Sequence, residues 1–398
     1  MFLNNKNITV DKCRVCGQKL FEQPLLRYGN MPMAAQCLPD EQSLKNDRGI
    51  NLEIYQCSGC GLVQLNSESV PYYKEVIRAT IFSSEMKEFR MKQFTNFVEK
   101  YSLQNKKIIE IGSGRGENLF IMSQCGVNVF GIEYSADSVE QCVKNGLNVS
   151  KGFVENSNYV ISDAPFDAFF SLSFIEHLPE LNQVLQGIRN NLTDDAVGIV
   201  EVPNFDMILR SKLFSEFTRD HLFYFTKETF ISTLEMNGFE TVECGEVWHD
   251  YIISAVVKPI KNFQTKPTVV KKIEKVDLSS FYNHQSKLRN ETEKYISQFQ
   301  KGKVAVWGAG HQALAVISML GLGDKIKYVV DSAVFKQDKY TPATHIPIVA
   351  PDMLHLDPME AVIVIAGSYS EEVSKIIRVK YNQNINVVIL RDFGLEKV

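Results

Sequence analysis

No apolar run in this 398-residue chain approaches the ~18 residues that a membrane-spanning helix needs. The opening, MFLNNKNITVDKC, lacks the basic and apolar regions of a secretory signal. Charge of one sign is also lacking: 43 Lys and Arg against 47 Asp and Glu leave a formal charge of −4. That balance excludes a surface built for bulk nucleic acid or anionic membrane, though not a local patch. No repeat at a fixed period and no low-complexity tract interrupts the chain. Cysteine is sparse for the length, eight in all, whereas a secreted disulfide framework would be short and Cys-dense. The expectation is a soluble, cytoplasmic protein with no nucleic-acid and no membrane partner. Its oligomeric state stays open, a monomer included.

What is present is an α/β pattern. With 44% hydrophobic and 23% charged residues, the chain has material for a sizeable core in two or three domains. The first 65 residues are rich in Cys, Gly, Pro and Asn with little helical periodicity. A helix is predicted from Ser84 to Tyr101. KKIIEIGSGRGENLFIMSQCG then reads as strand, glycine-rich turn and helix. Strands follow at 128–135, 166–173 and 196–203, with a helix near Glu180–Asn191, and 239–258 reads as a closing antiparallel pair. This alternation is that of a doubly wound sheet. The polar stretch 259–275, with two prolines and five lysines, reads as a linker. A helix at 278–299 and strands at 303–310, 326–331, 361–368 and 384–390 form a second α/β unit. The expected division is 1–80, 81–260 and 261–398.

Four constellations carry chemistry. Cys13-x-x-Cys16 and Cys57-x-x-Cys60, each followed by Gly, direct thiols in pairs and together supply four soft ligands for a closed structural zinc site. A redox pair or four unrelated buried thiols are the alternatives. Glu110-Ile-Gly112-Ser113-Gly114-Arg-Gly116 ends a strand and opens a helix, and Glu133 ends the next strand, where a carboxylate can take both hydroxyls of a ribose. A dinucleotide site or a merely tight turn would leave similar traces. Asp220-His221, followed by aromatics at 223–225, offers a general base near neutral pH or a hydrogen-bonded core histidine. Gly308-Ala309-Gly310-His311-Gln312-Ala313 follows a strand, and Asp331 ends the next one; the pattern suits NAD or another nucleotide diphosphate.

EIGSGRG, GIEYS and SLSFIEHL (171–178) resemble class I S-adenosylmethionine (SAM) methyltransferases. The resemblance implies that Glu110, Gly112, Ser113, Gly114 and Gly116 border the cofactor and that Glu133 holds its ribose. It further implies that Ser171 and Ser173 line the cleft, with His177 at the cofactor edge. All four constellations in this order are similar to the three-domain sugar-nucleotide C-methyltransferases, which join a zinc module, a SAM domain and a C-terminal Rossmann-like domain. By that resemblance the catalytic group comprises His221, Asp220 and Tyr224. Gly308, Gly310, His311, Asp331 and Lys336 serve the nucleotide sugar, taken to be thymidine diphosphate-linked. The implied reaction is C3-methylation of a 4-keto-6-deoxyhexose through an enolate. Where the family reads Tyr-x-Glu-His, this chain reads Thr218-Arg219-Asp220-His221. That departure keeps O- or N-methylation open, and the Gly308 turn keeps an NAD-dependent oxidoreductase or a non-catalytic scaffold in view.

Overall fold

Five residues, Lys107–Ile111, make the central strand β1 of the first unit, and four of them are buried. Burial of four consecutive residues, three of them isoleucines, suits a strand covered on both faces. The computed structural model describes residues 10–34, 37–75, 83–264, 273–381 and 383–398. Of the linker expected over 259–275, residues 265–272 lie outside the described residues.

The chain forms two compact units. The first takes the chain up to Gln23, Tyr55–Met207 and His221–Lys275; the second takes Pro24–Ile54, Ile208–Asp220 and Val276–Val398. In the first unit, helix α1 (Ser84–Lys100) is capped by Ser83, whose side chain accepts the N–H of Met86. After β1 come α2 (Glu117–Ser123), β2 (Asn128–Glu133), α3 (Ala136–Lys144), β3 (Val149–Lys151) and β4 (Phe166–Leu172). Then follow α4 (Leu181–Asn190), β5 (Leu192–Pro203), β6 (Phe239–Val247) and β7 (Ile252–Pro259). The strands lie in the order β6-β7-β5-β4-β1-β2-β3. Five are parallel, and β7 runs antiparallel to both β5 and β6. The order turns back on either side of β1, so the strand ends at β1 and β4 open a crevice there. Phe94, Phe97, Ile108, Leu119, Phe170 and Ile199 are among the core residues that seat α1 and α2 on this sheet.

One polar group lies inside that packing. Arg90 of α1 donates to Glu201 of β5 at 2.5 Å, and Gln93 donates to the other carboxylate oxygen at 2.5 Å. Arg90 is 4% exposed and Glu201 fully buried.

In the second unit, helix α5 (Ser279–Ile296) precedes β8 (Val304–Trp307), α6 (His311–Met319), β9 (Val329–Val330), β10 (Lys339–Tyr340) and β11 (Pro347–Val349). β12 (Ala361–Val364), β13 (Asn386–Arg391) and β14 (Gly394–Lys397) complete it, in the order β10-β11-β9-β8-β12-β13-β14. The strand expected over 326–331 is reduced to two residues. Within this unit the segment between the two Cys pairs is firmly anchored. Strand Leu26–Met31 pairs antiparallel with Ile50–Gln56. Arg27 N–H reaches Tyr282 Oη at 2.8 Å, and Asp47 accepts from His345 Nε2 at 2.8 Å and from Ala343 N–H at 2.6 Å. The ring of Tyr28 lies 6.2 Å from Phe217, which lies 5.8 Å from Phe281.

Candidate active site

The glycine turn after β1 is held by the acidic end of β2. Glu133, 1% exposed, accepts the N–H of Gly114 at 2.8 Å and of Ser135 at 2.9 Å. Each carboxylate oxygen thereby accepts one backbone N–H, from the turn after β1 and from the turn after β2. Gly112 has φ +76, and a Cβ there would stand 3.0 Å from the ring of Phe174; no L side chain fits comfortably. Glu110 is 1% exposed and accepts from Asn118 of α2 at 3.5 Å, which ties the turn to its helix. Ser113 is fully buried under the same turn. A narrow pocket opens beside Glu133, lined by Lys74, Ile111, Gly112, Tyr134, Phe153 and Phe174 among others. Lys74 stands 5.4 Å above the ring of Tyr134 and 5.1 Å above that of Phe153, and pairs with Glu155 at 2.7 Å. A carboxylate for vicinal hydroxyls beside an aromatic pocket is a donor and acceptor set that fits an adenosine.

Tyr134 and Phe174 lie within GIEYS and SLSFIEHL but carry no role in the sequence analysis, and Lys74 and Phe153 lie outside every motif there.

At the end of β4, Ser171 donates to the carbonyl of Ile111 at 3.4 Å, joining β4 to β1. Ser173 takes φ +49 while its N–H bonds the carbonyl of Glu201. This turn leads into a short 3-10 segment, Ile175–His177. There His177 comes within 4.9 Å of His221, ring centre to ring centre. Tyr224 is buried, with its ring 6.5 Å from His221 and 5.7 Å from Phe205. Strand Phe223–Tyr224 pairs with Val63–Leu65, fixing where His221 sits. Asp220 ends the 208–220 segment of the second unit. His249 lies in the β6–β7 turn, exposed and paired with Glu85 at 2.9 Å.

The four N-terminal cysteines converge. Cys13 and Cys60 Sγ are 3.7 Å apart, and Cys16 and Cys57 Sγ are 3.3 Å apart. Zinc–sulfur bonds of about 2.3 Å make a tetrahedron with edges of about 3.8 Å, so the spacing fits the metal. Gly17 and Gly61 N–H groups return to the carbonyls of Cys13 and Cys57, and the N–H groups of Gly59 and Cys60 face the Cys57 sulfur. Hydrogen bonding among the four thiols holds the Cys57 thiol down and pushes those of Cys13 and Cys60 up.

In the second unit, Asp331 accepts from Ala309 N–H at 2.8 Å, Ala333 N–H at 2.9 Å and Lys336 Nζ at 3.1 Å. Gly308 has φ +126, and a Cβ there would meet the carbonyl oxygen of Ile365 at 2.2 Å. Gly310, next to His311 at the start of α6, faces open space. Gln312 donates to Glu216 at 2.5 Å.

The strand order of the first sheet, its glycine turn and the carboxylate at the end of β2 define a SAM-dependent methyltransferase. Residues 82–244 match a family model described as a methyltransferase domain, and residues 264–390 match a C-methyltransferase C-terminal domain. Over 387 residues the chain is 24% identical to the C-methyltransferase NovU of Streptomyces niveus, covering 92% of this chain and 91% of that one. The chain thus carries a methyltransferase domain followed by a C-methyltransferase C-terminal domain. Among solved structures, the PH0226 protein of Pyrococcus horikoshii OT3 is 18% identical with a TM-score of 0.39, covering 48% of this chain and all of that one. A SAM-dependent methyltransferase of Clostridium acetobutylicum ATCC 824 is 12% identical with a TM-score of 0.37, covering 47% and 96%.

Proposed function

We propose that this enzyme methylates C3 of a nucleotide-linked 4-keto-6-deoxyhexose carried on thymidine diphosphate, with His221 as the base. The observation that carries the reading is the placement of His221. It is held by the Phe223–Tyr224 strand, its ring meets His177, and His177 follows the strand that borders the cofactor crevice.

SAM, when bound, supplies a methyl group activated by its sulfonium charge. The chain's own residues then have three tasks. Glu133 takes the ribose hydroxyls, and the turn 112–116 lets the methionine part approach the backbone. A 4-keto group acidifies the proton on C3, and His221 removes it, leaving an enolate whose carbon faces the methyl. Holding acceptor carbon and methyl in line is the remaining contribution, and positioning of this kind is worth several powers of ten in rate. Tyr224 and Asp220 complete the catalytic group in this reading. The Gly308–Ala313 turn takes the diphosphate at the start of α6, with His311, Asp331 and Lys336 around it. Zinc on Cys13, Cys16, Cys57 and Cys60 has a structural role, because all four ligands come from protein. The reading also keeps three sequence modules, 1–80, 81–260 and 261–398.

The test is a panel of nucleotide sugars incubated with SAM and read by mass. Gain of one methyl on the thymidine diphosphate 4-keto sugar, retained at carbon by NMR, supports the reading. Methyl gain only on oxygen or nitrogen overturns it.

A further inference from the structure

Glu176 is the middle residue of the 3-10 segment after β4. Its backbone carbonyl accepts the N–H of Leu222 at 2.8 Å, which staples this segment to the one carrying His221. Its side chain is buried, 1% exposed, and neither carboxylate oxygen has a hydrogen-bond partner among the described residues. A carboxyl in that condition is costly to keep and calls for a use. What it faces is an imidazole: His177 Nε2 stands 3.9 Å from Glu176 Oε1. The ring of His177 meets that of His221 edge to face, at 69°. One ligand-type atom from each of the three residues lies within 4.8 Å of the other two. The titratable groups gathered here are His177 on the same turn, and His221 and Tyr224 on the facing segment.

We propose that Glu176 is a positioning residue that takes up, through His177, the proton His221 removes from the substrate. The inference rests on His221 being the base. The C3–H bond breaks, its electron pair stays on the substrate as enolate, and the proton bonds to one ring nitrogen of His221. The N–H on the other ring nitrogen breaks, and that proton bonds to His177. His177 Nε2 gives up its own proton to Glu176 Oε1, forming the carboxylic acid. Both imidazoles end neutral, the negative charge has moved from a buried carboxylate to the enolate, and the acid returns its proton to water in turnover. A carboxylate of ordinary acidity would hold that proton poorly. Burial pushes the Glu176 carboxyl up, against the opposing pull of His177, and makes it a better acceptor. The 3.9 Å between His177 Nε2 and Glu176 Oε1 must shorten by about 1 Å when substrate binds, and the gap between the two imidazoles, up to 4.8 Å, by about 2 Å.

The test uses the full-length enzyme with thymidine diphosphate 4-keto-6-deoxyglucose as probe. Methylation is measured beside solvent-deuterium entry at C3 with S-adenosylhomocysteine in place of SAM. Glu176→Gln and His177→Asn should each slow both rates by about 10- to 100-fold, and in Glu176→Gln KM and SAM affinity should stay within twofold. The double variant should be no slower than the slower single one, because the two act in series. Deuterium entry at the normal rate in Glu176→Gln, with entry lost in His221→Asn, overturns this inference alone. Normal entry in His221→Asn removes the base and the inference together. A second measurement needs no turnover: nitrogen NMR of the His177 ring. Glu176→Gln should alter the signal of Nε2, the atom that faces the carboxylate, and an unaltered signal overturns the proposal. A cobalt(II) absorption band that disappears in Glu176→Gln would make the cluster a metal site, and would overturn it as well.

Discussion

Glu133 Oε2 accepts the N–H of Gly114 at 2.8 Å, so the carboxylate at the end of β2 shapes the glycine turn at the end of β1. The residue proposed to hold the cofactor's ribose thus also holds the glycine turn. The two are nineteen positions apart in the chain, and the parallel pairing of β1 with β2 brings them together.

Glu133→Ala should therefore lose on two counts. Removing hydrogen bonds to a charged acceptor should weaken SAM binding by about 1.5–3 kcal/mol, roughly ten- to a hundredfold. The melting temperature should also fall, since Gly114 and Ser135 lose their acceptor. Titration calorimetry with a melting curve checks both, and unchanged SAM affinity would leave Glu133 with the structural task alone.

Purified, reduced protein should carry one zinc per chain. Cys57→Ser should cost solubility and melting temperature more than it alters the chemistry of the folded fraction, because metal binding at such a site is part of folding. Elemental analysis decides, and metal-free protein with an undiminished melting temperature would remove the zinc assignment.

Gly310 faces open space, so a side chain there meets ligand before it meets protein. Gly310→Glu should lower binding of thymidine diphosphate while SAM binding and the melting temperature hold. Loss of NADH binding in its place would point the turn toward a dinucleotide.

His221→Asn should lower turnover by about 10²–10⁴, the usual cost of a general base, while SAM and substrate affinities stay within a few-fold. Single-turnover kinetics separates the chemical step from binding. A normal rate would return His221 to the role of a hydrogen-bonded core residue.

The Arg90–Glu201 pair gives a stability prediction independent of catalysis. Arg90→Ala strands a fully buried carboxylate and should cost about 3–5 kcal/mol. Replacing both with Met should cost much less, because no lone charge remains. Denaturant unfolding of the two variants checks the difference, and equal losses would mean that packing, not charge, is what Arg90 supplies.

Much of the first sheet was legible from local pattern. Helix α1, strands β1, β2 and β4, and the closing pair β6–β7 lie within a few residues of their expected bounds. Their signals are short-range: apolar runs, a glycine turn between strand and helix, and helical spacing from Ser84 onward. The two Cys-x-x-Cys-Gly knuckles were legible for the same reason, and their sulfurs do converge. Strand 326–331 was overcalled, because the apolar stretch IKYVVD buries Ile326 and Tyr328 without extending the ladder beyond Val329–Val330.

Sequence by itself thus determined the α/β class, the strand ends that carry glycine turns, the paired thiols and the candidate histidines. Each of these is written in neighbouring residues, where turn chemistry and periodicity act. Only the tertiary structure decided which distant groups meet. It gathered Lys74, Phe153 and Phe174 beside Glu133. It built residues 24–54, which lie between the two Cys pairs, into the second unit. It also buried Glu176 beside His177 and His221. Burial and partner identity depend on how sheets and helices close over one another, and no local spacing encodes that closure.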